Sequence, residues 1–298
     1  MHIRISLPAQ TLALHDAYGD LLVRYRVSTA RNGAGEVSGS YRTPRGRHRI
    51  RAKIGAGAPV NTVFVRRRPT GEIWSPALAE ASPGRDWILT RILWLCGNEP
   101  GFNRLGPVDT MRRYIYIHGS PDTAEMGVPG SIGCVRMHNG DIIDLFDRVP
   151  PYVAVDIVDY ALSVGDWATQ GPRVGALREA VFVAEQKVPA EMEYDAWDPQ
   201  SRHAAVVDSA GQVIGTGRLL PDGHIGRMAV AAGARGRGIG RAVLEALLEE
   251  ARQRGMGTLV LSAQTHAVGF YERFGFAVAG PEYEEAGIAH RQMRRSIA

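Results

Sequence analysis

Short runs in which apolar and polar residues alternate dominate the first half of the chain. Such runs, separated by Gly, Pro and Asn clusters, predict β-strands. They are HIRIS, LLVRYRVS, HRIRAKI, NTVFVRR, RYIYIHG and VAVDIV. The segment DIIDLFDRV predicts a single helix that starts near Asn139 or Asp141 and ends before Pro150. Residues 1 to 158 are therefore expected to form a mostly β domain.

The pattern changes near residue 160 to an alternation of helices and strands. PRVGALREAVFVAEQ predicts a helix with Pro172 near its first position, and GRAVLEALLEEARQRG predicts a long amphipathic helix with Gly255 as its C′ residue. AVGFYERFG predicts a short helix. Strands are predicted for HAAVV, QVIGTGRLL, HIGRMAV, TLVLS, FAVAG and HRQMRRS. We therefore expect a second domain over residues 159–298.

Composition and charge narrow the possible partners. The 298 residues are 45% hydrophobic and 22% charged, as in soluble globular proteins. The net charge of +4 divides into +6 over residues 1–158 and −2 over the rest, with basic residues concentrated at 41–53 and 66–68. Such a patch serves nucleic acid, membranes or acidic small substrates, or is a solvated strand face. No aromatic residues interleave with the arginines, so a nucleic-acid partner is not expected.

The N-terminus and the cysteines indicate the compartment. MHIRISLPAQTLALHD contains no apolar segment followed by a cleavage site, which predicts a cytoplasmic protein. The most apolar stretch, WILTRILWLCG, is short and contains Arg91, so we expect a buried core segment and no membrane span. Cys96 and Cys134 are expected to be reduced, with Cys96 as a buried structural thiol. No His or Cys spacing suits zinc, so no metal is predicted.

A histidine and a cysteine in YIYIHGSPDTAEMGVPGSIGCVRM suggest nucleophilic chemistry. His118 ends a predicted strand, and Cys134 follows sixteen residues later. A cysteine attacks as thiolate, and a nearby histidine commonly lowers its pKa. Gly133 permits an unusual turn, and Arg136 has the planar fork that binds a carboxylate. From these residues alone, a cysteine hydrolase and an ordinary pair of core residues both remain open.

Two motifs in order resemble the YkuD family of L,D-transpeptidases. One is Thr43-Pro44-Arg45-Gly46-Arg47-His48-Arg49-Ile50, and the other is the HG…SxGCxR run that contains His118 and Cys134. The resemblance covers residues 1 to 158. It implies a β-rich catalytic domain whose cysteine attacks the carbonyl between an L-centre and D-alanine in a peptidoglycan stem peptide.

The resemblance also implies residue roles. Cys134 would be the nucleophile and His118 its base, with Gly119 orienting His118 through its carbonyl. Ser131 and Gly133 would shape the oxyanion turn, and Arg136 would bind a substrate carboxylate. Many relatives have histidine where this chain has Ile132.

The fate of the acyl-enzyme follows from the expected location. Attack by an amine gives a 3→3 crosslink, whereas attack by water gives a trimmed peptide. Because crosslinking requires murein outside the membrane, a cytoplasmic L,D-carboxypeptidase is expected. The alternative is an exported crosslinking enzyme.

A second motif, Arg235-Gly236-Arg237-Gly238-Ile239-Gly240, lies between a predicted strand and the long helix. Glycines at a helix start expose amide donors to an anion, although tight packing also explains them. With residues 269–276, GFYERFGF, this run resembles the GNAT acetyltransferases. FVAEQKVPAEMEYDAWD and AGIAHRQM resemble the ElaA-like subgroup. The resemblance implies an α/β (α+β) fold with a mixed central sheet.

The GNAT resemblance implies acetyl-CoA as co-substrate. Tyr271 would protonate the departing CoA thiolate. The amine must also lose a proton, which requires a carboxylate or an ordered water. Glu191, Glu193 and Asp195 are acidic candidates for this base, and the alternative interpretation of them is solvated loop residues. Backbone groups would hold the cofactor at Met228, Ala229 and Val230, and its pyrophosphate at Arg235, Gly236, Arg237, Gly238, Ile239 and Gly240. The amine acceptor stays open. A competing interpretation is a non-catalytic acetyl-CoA sensor that regulates the first domain.

Overall fold

The computed structural model describes residues 1–297, which form two compact units. The first unit contains residues 1–15 and 22–159, and the second contains residues 16–21 together with the chain from Tyr160 onward. Within residues 1–297, no helix combines the length and apolar character that a membrane crossing requires.

The first 159 residues fold mainly as strands. The strands are β1 (His2–Ser6), β2 (Thr11–His15), β3 (Leu21–Arg26), β4 (Gly46–Ile54), β5 (Thr62–Val65), β6 (Arg68–Ile73), β7 (Leu89–Gly97), β8 (Tyr116–Gly119), β9 (Val135–Met137) and β10 (Ala154–Val158). The helices are α1 (Pro76–Glu80) and α2 (Asn139–Arg148). These strands form one sheet in the order β3-β2-β1-β10-β4-β7-β5-β6, with β8 between β7 and β9.

Helix α2 covers β7 and β8 with an apolar face that includes Ile142, Leu145 and Phe146. The predicted helix is thus present. The apolar run around Arg91 is strand β7, which is buried along nearly its whole length. Because both of its faces are covered, it lacks the alternation that would have predicted a strand.

The rest of the chain forms a second, mixed sheet with helices. Its strands are β11 (Ala161–Gly165), β12 (Arg202–Val207), β13 (Val213–Leu219), β14 (His224–Val230), β15 (Thr258–Gln264), β16 (Ala277–Glu285) and β17 (Ile288–Ser296). Its helices are α3 (Trp167–Arg178), α4 (Ala190–Glu193), α5 (Ile239–Gln253) and α6 (Val268–Glu272). The strand order is β11-β12-β13-β14-β15-β17-β16, and within residues 1–297 only β14 and β15 of this sheet pair in parallel.

Two predictions about helix ends have different outcomes. Gly255 follows the α5 C-cap with φ +67°, as expected of a C′ glycine. The position expected for Pro172 is wrong, because α3 starts five residues earlier, where the Asp166 side chain accepts from the Thr169 amide. The Asp166 cap therefore sets the helix start. A seven-residue π-helix, Glu179–Glu185, continues α3.

Strands β14 and β15 separate after a short contact. Their pairs are only His224 with Val260 and Ile225 with Leu261, so the following residues of β14 have a free edge on that side. On its other side β14 pairs with β13 through an irregular register, and Arg227 has φ +49° at this bulge. The separation opens the second sheet beside the end of β14.

Candidate active sites

The pairing of β8 with β9 brings the predicted histidine and cysteine to one face of the first sheet. The parallel register places His118 opposite Arg136, and Cys134 directly precedes β9. Since side chains two residues apart share a face, Cys134 and Arg136 lie on the same face as His118 and Tyr116. Two residues that are sixteen positions apart in sequence thus share one face of the sheet.

His118 is fully buried and held in one orientation. Its Nδ1 lies 2.8 Å from the Gly119 carbonyl, so this nitrogen carries the proton and donates. Its Nε2 has no hydrogen-bond partner among residues 1–297. Burial lowers the pKa of His118, so the ring is neutral and Nε2 presents a lone pair. This geometry suits a general base.

Gly119 leaves no room for a side chain. A Cβ atom at this position would lie 2.6 Å from the Leu89 carbonyl oxygen and 2.8 Å from Asn139 Oδ1. The HG pair in the motif therefore has a steric reason in addition to the carbonyl contact with His118.

The turn before Cys134 is fixed by buried hydrogen bonds. Ser131 Oγ donates to the Cys134 carbonyl at 2.6 Å and accepts from the Gly133 amide at 3.1 Å. Gly133 has φ +139°, which favours glycine. Because the Gly133 amide is occupied, the Cys134 amide is the donor that remains for an oxyanion; no acceptor for it is found within residues 1–297. Ile132 is 43% exposed at this turn.

Thr43 connects the upstream motif to this turn. Its fully buried Oγ1 donates to the Gly133 carbonyl at 3.0 Å and accepts from the Ala30 amide at 3.0 Å. In the same motif, Ile50 belongs to the core, and a Cβ at Gly46 would lie 2.2 Å from Glu99 Oε2. The first motif therefore supports the catalytic turn.

The Cys134 thiol is partly accessible, and the charges of Asp86, Arg136 and Arg113 act on its pKa in opposite directions. Its Sγ accepts from the Tyr116 amide at 3.3 Å and donates to the Tyr114 carbonyl at 3.5 Å. Burial of the group raises its pKa to about 12, against a smaller lowering by the Tyr116 hydrogen bond. The free enzyme therefore holds a neutral thiol beside a neutral imidazole, which differs from the thiolate that the sequence suggested. Cys96 is buried and free, as predicted.

Arg136 already has an anionic partner. Its NH2 lies 2.5 Å from Asp86 Oδ1, and its NH1 donates to the Gly130 carbonyl at 3.1 Å. The sequence did not single out Asp86, since a loop aspartate fifty residues away carries no pattern that links it to Arg136. A substrate carboxylate would have to share or replace this contact.

A cavity of about 900 Å³ lies in the second unit where β14 and β15 separate. The expected cofactor residues Met228, Ala229 and Val230 line it, as do Arg235 and Tyr271. The free edge of β14 offers backbone groups to an extended ligand. Val230 contributes only part of this edge, because its carbonyl accepts from Arg235 Nε at 3.1 Å.

The glycine-rich loop has the backbone form of an anion site. Gly236 and Gly238 have φ +74° and +81°, and Gly238 is the N-cap of α5 without a side-chain cap. Within residues 1–297, the amides of residues 236–240 donate no backbone hydrogen bond outside regular elements. The fifteen-residue helix adds its positive dipole end. The loop can therefore receive a pyrophosphate.

Tyr271 is suited to donate a proton. Its ring packs edge-on against Phe270 and Phe276, and burial raises the pKa of the phenol to about 12. The hydroxyl stays protonated at neutral pH, as a general acid requires.

The three carboxylates that the sequence offered as bases are not equivalent. Glu193 is 2% exposed and pairs with Arg178 and Arg227, so it is not a solvated loop residue. Asp195 pairs with Arg218 and Arg227 and has a lowered pKa, although burial opposes this. Glu191 does not line the cavity. Asp195 is therefore a poor proton acceptor, and Glu193 is held by two arginines.

Histidines that the sequence did not single out for this role line the same cavity. His290 lines the cavity, and its Nδ1 donates to the Ile288 carbonyl at 2.8 Å. The sheet register places His290 opposite Gln264, the last residue of β15, and α6 with Tyr271 follows shortly afterwards. His224 contacts Asp222 at 3.2 Å near the paired end of β14.

Comparisons with known families divide the chain in the same order as the two sites. The L,D-transpeptidase catalytic domain model (YkuD) matches residues 1–167, and the acetyltransferase (GNAT) domain model matches residues 167–297.

Curated relatives match the second part. The "Uncharacterized N-acetyltransferase YjcF" of Bacillus subtilis is 39% identical over 123 residues, or 40% of this chain and 87% of that protein. "Uncharacterized protein YyaT" of the same organism is 32% identical over 41% of this chain and 86% of its own length.

Solved structures also match there. An acyl-CoA N-acyltransferase from Pseudomonas aeruginosa is 32% identical with a TM-score of 0.43, and Escherichia coli ElaA is 28% identical with a TM-score of 0.43. Each alignment covers 46% of this chain and 99% of the other.

Proposed function

The chain belongs to the YkuD family of L,D-transpeptidase catalytic domains and also contains a GNAT acetyltransferase domain, and on this basis we propose a bifunctional peptidoglycan-peptide enzyme. We assign residues 1–158 to cysteine-dependent cleavage of the bond between the L-centre and D-alanine in a stem tetrapeptide. Residues 159–298 are assigned to acetyl transfer onto an amine. The observation that carries the first assignment is the free Nε2 of His118 on the sheet face of Cys134.

The acylation step uses both groups in their neutral forms. When substrate binds, the Cys134 proton moves to His118 Nε2 and Sγ bonds to the carbonyl carbon. The Cys134 amide stabilises the oxyanion of the tetrahedral intermediate. When the C–N bond breaks, the D-alanine nitrogen takes the proton from His118, and a thioester remains.

The thioester is resolved by water or by an amine. His118 Nε2 then removes a proton from the incoming nucleophile, whose attack breaks the C–S bond, and the Cys134 thiolate that leaves takes this proton from His118. Water gives a trimmed tripeptide, and a second stem peptide gives a 3→3 crosslink. We propose trimming as the main outcome. The cytoplasmic location expected from the sequence stays a prediction that cell fractionation checks.

Purified enzyme incubated with murein tetrapeptide tests the first activity. We expect free D-alanine, a thioester adduct on Cys134 in quenched mass spectra, and neither product with Cys134→Ala. Intact substrate with the wild type, or equal release by Cys134→Ala, refutes the proposal. If a crosslinked dimer is the main product, the main reaction is transpeptidation and the proposal of trimming is wrong.

For the second activity, we propose that acetyl-CoA occupies the cavity beside β14, with its pyrophosphate at residues 235–240. The acceptor amine loses a proton to His290 Nε2 and attacks the acetyl carbonyl. Tyr271 gives its proton to the CoA thiolate as the thioester breaks. Burial of Tyr271 and the position of Tyr271 and His290 in the lining of one cavity support this pairing.

Calorimetry with acetyl-CoA and mass spectrometry of muropeptides, with and without acetyl-CoA, test the second activity. We expect saturable binding and a product that has lost one alanine and gained one acetyl group. Undetectable binding at high ligand excess refutes it. Binding that changes D-alanine release without acetylation indicates the regulatory module instead.

A further inference from the structure

The hairpin between β5 and β6 turns on two arginines. Val65 pairs with Arg68, so Arg66 and Arg67 form a two-residue turn, with φ +48° and +67°. A turn with two positive φ values is typical of type I′, which strongly favours Asn-Gly. Arg66 and Arg67 both carry side chains, so this backbone conformation is strained. Such a conformation persists where other interactions stabilise it.

The stabilising interactions belong to Arg67. Its guanidinium carbon lies 4.3 Å from the centre of the Trp94 ring and 4.9 Å from that of Tyr114. Its NH1 donates to Tyr116 Oη at 3.0 Å. Arg66 and Arg68 are exposed, whereas Arg67 is half-buried. The strained turn thus places one particular cation against three aromatic side chains.

Two of these aromatic residues also contact the nucleophile through their backbone groups. The Tyr116 amide donates to Cys134 Sγ at 3.3 Å, and Sγ donates to the Tyr114 carbonyl at 3.5 Å. Trp94 and Cys134 pack against the same small apolar cluster, which contains Tyr116. Arg67 and Cys134 therefore contact the same two residues, Tyr114 and Tyr116.

The charge of Arg67 is uncompensated, unlike that of Arg136. Arg136 pairs with Asp86, whereas Arg67 makes no ion pair with a carboxylate in residues 1–297. A guanidinium that is partly desolvated by rings retains several N–H donors for a planar anion. Such a group binds a carboxylate more strongly than an exposed arginine does.

We propose that Arg67 is a specificity-determining residue that binds a carboxylate of the peptide attacked by Cys134. The peptide chemistry rests on the proposed function, because a stem tetrapeptide carries a terminal and at least one further carboxylate. The strain at the Arg66-Arg67 turn is then retained to keep this cation beside the nucleophile.

Steady-state kinetics on matched peptides test the proposal. The probes are the murein tetrapeptide and versions of it with one carboxylate converted to an amide. Wild type should lose about 10- to 100-fold in kcat/KM, mainly through KM, for one amidated peptide. Arg67→Gln should lose a similar factor on the unmodified peptide and no longer distinguish the two. Arg66→Gln and Arg68→Gln should stay close to wild type.

Two results of these kinetic measurements overturn the proposal. One is a wild type that cleaves every amidated peptide equally well, and the other is an Arg67→Gln variant that still prefers the same carboxylate. If Arg67 had only a structural role, Arg67→Gln would lower the cleavage of all peptides by the same factor and would keep the carboxylate preference, which is the second of these results.

Alkylation of Cys134 tests Arg67 without any assumption about the peptide. Iodoacetate is anionic and iodoacetamide is neutral, and both react with the same thiol. Arg67→Gln should lower the rate of Cys134 alkylation by iodoacetate about tenfold relative to the rate with iodoacetamide, because a nearby cation concentrates the anion. If the tetrapeptide is never cleaved but this ratio falls, the proposed function fails while the anion site stands. An unchanged ratio overturns the anion site.

A variant that improves the turn keeps the test independent of folding. Arg66→Asn with Arg67→Gly installs the preferred type I′ pair and should unfold at no lower temperature than wild type. It should nevertheless behave like Arg67→Gln in both assays, and Arg66→Asn alone should keep the carboxylate preference. A double variant with wild-type preference overturns the proposal.

Discussion

The ionisation of Cys134 decides whether the nucleophile is activated before or after substrate binds. Burial raises its pKa from 9.0 to about 12, and burial also keeps His118 neutral. A shift of about three units lowers the thiolate population at neutral pH roughly a thousandfold. At pH 7 the thiolate fraction is then about 10⁻⁵, compared with about 10⁻² for an unperturbed thiol.

Iodoacetamide labelling across pH 6 to 10 measures this population. The second-order rate at Cys134 should rise about tenfold per pH unit over the whole range and show no plateau, since only the thiolate reacts. Peptide mapping separates Cys134 from buried Cys96. His118→Gln should leave the labelling profile within about twofold of wild type while abolishing D-alanine release, because the histidine acts only during turnover.

A rate that levels off near neutral pH would refute this reasoning. It would mean that a thiolate–imidazolium pair exists in the free enzyme, and His118→Gln would then remove the plateau. A plateau near pH 9 would show that neither burial nor the histidine perturbs the thiol.

Three further substitutions probe the two sites. Thr43→Val removes the hydroxyl that bonds the Gly133 carbonyl, so urea denaturation should show a loss of about 1–3 kcal/mol together with reduced D-alanine release, whereas Thr43→Ser should lose less. Gly119→Ala forces the backbone apart and should reduce soluble yield or D-alanine release, while Gly140→Ala, whose Cβ would meet nothing within 4 Å, should behave like wild type. Tyr271→Phe should lower the acetyl-transfer rate about 10- to 100-fold with calorimetric acetyl-CoA affinity unchanged, because only the proton donor is lost.

Local patterns predicted much of the fold. The alternating runs in the first half and the amphipathic helices α2 and α5 are present, since each depends on residues close in sequence. Strand β7 was not predicted as a strand, because it is buried on both faces and lacks alternation. The start of α3 was misplaced because the Asp166 cap outweighed the signal from Pro172.

In the candidate sites too, the sequence predicted what depends on local motifs and missed what depends on tertiary packing. The parallel pairing of β8 and β9 brings His118 and Cys134 to one face, as the motif implied. The sequence could not give the protonation of that pair, because burial by distant strands sets both pKa values. Nor could it reveal that Asp86 occupies Arg136, or that Glu193 is enclosed by arginines, since both contacts depend on tertiary packing.

The arginines at residues 66–68 show most clearly what sequence alone leaves open. As a run of charge, they were compatible with a solvated strand face or with an acidic small substrate. Backbone geometry separates them, because Arg67 is turned onto Trp94 and Tyr114 while its neighbours remain exposed. A hairpin selected for stability alone would place Asn-Gly at this turn. The proposed role of Arg67 accounts for the Arg-Arg pair at this turn, because Arg67 makes no ion pair in residues 1–297 whereas Arg136 is already paired with Asp86.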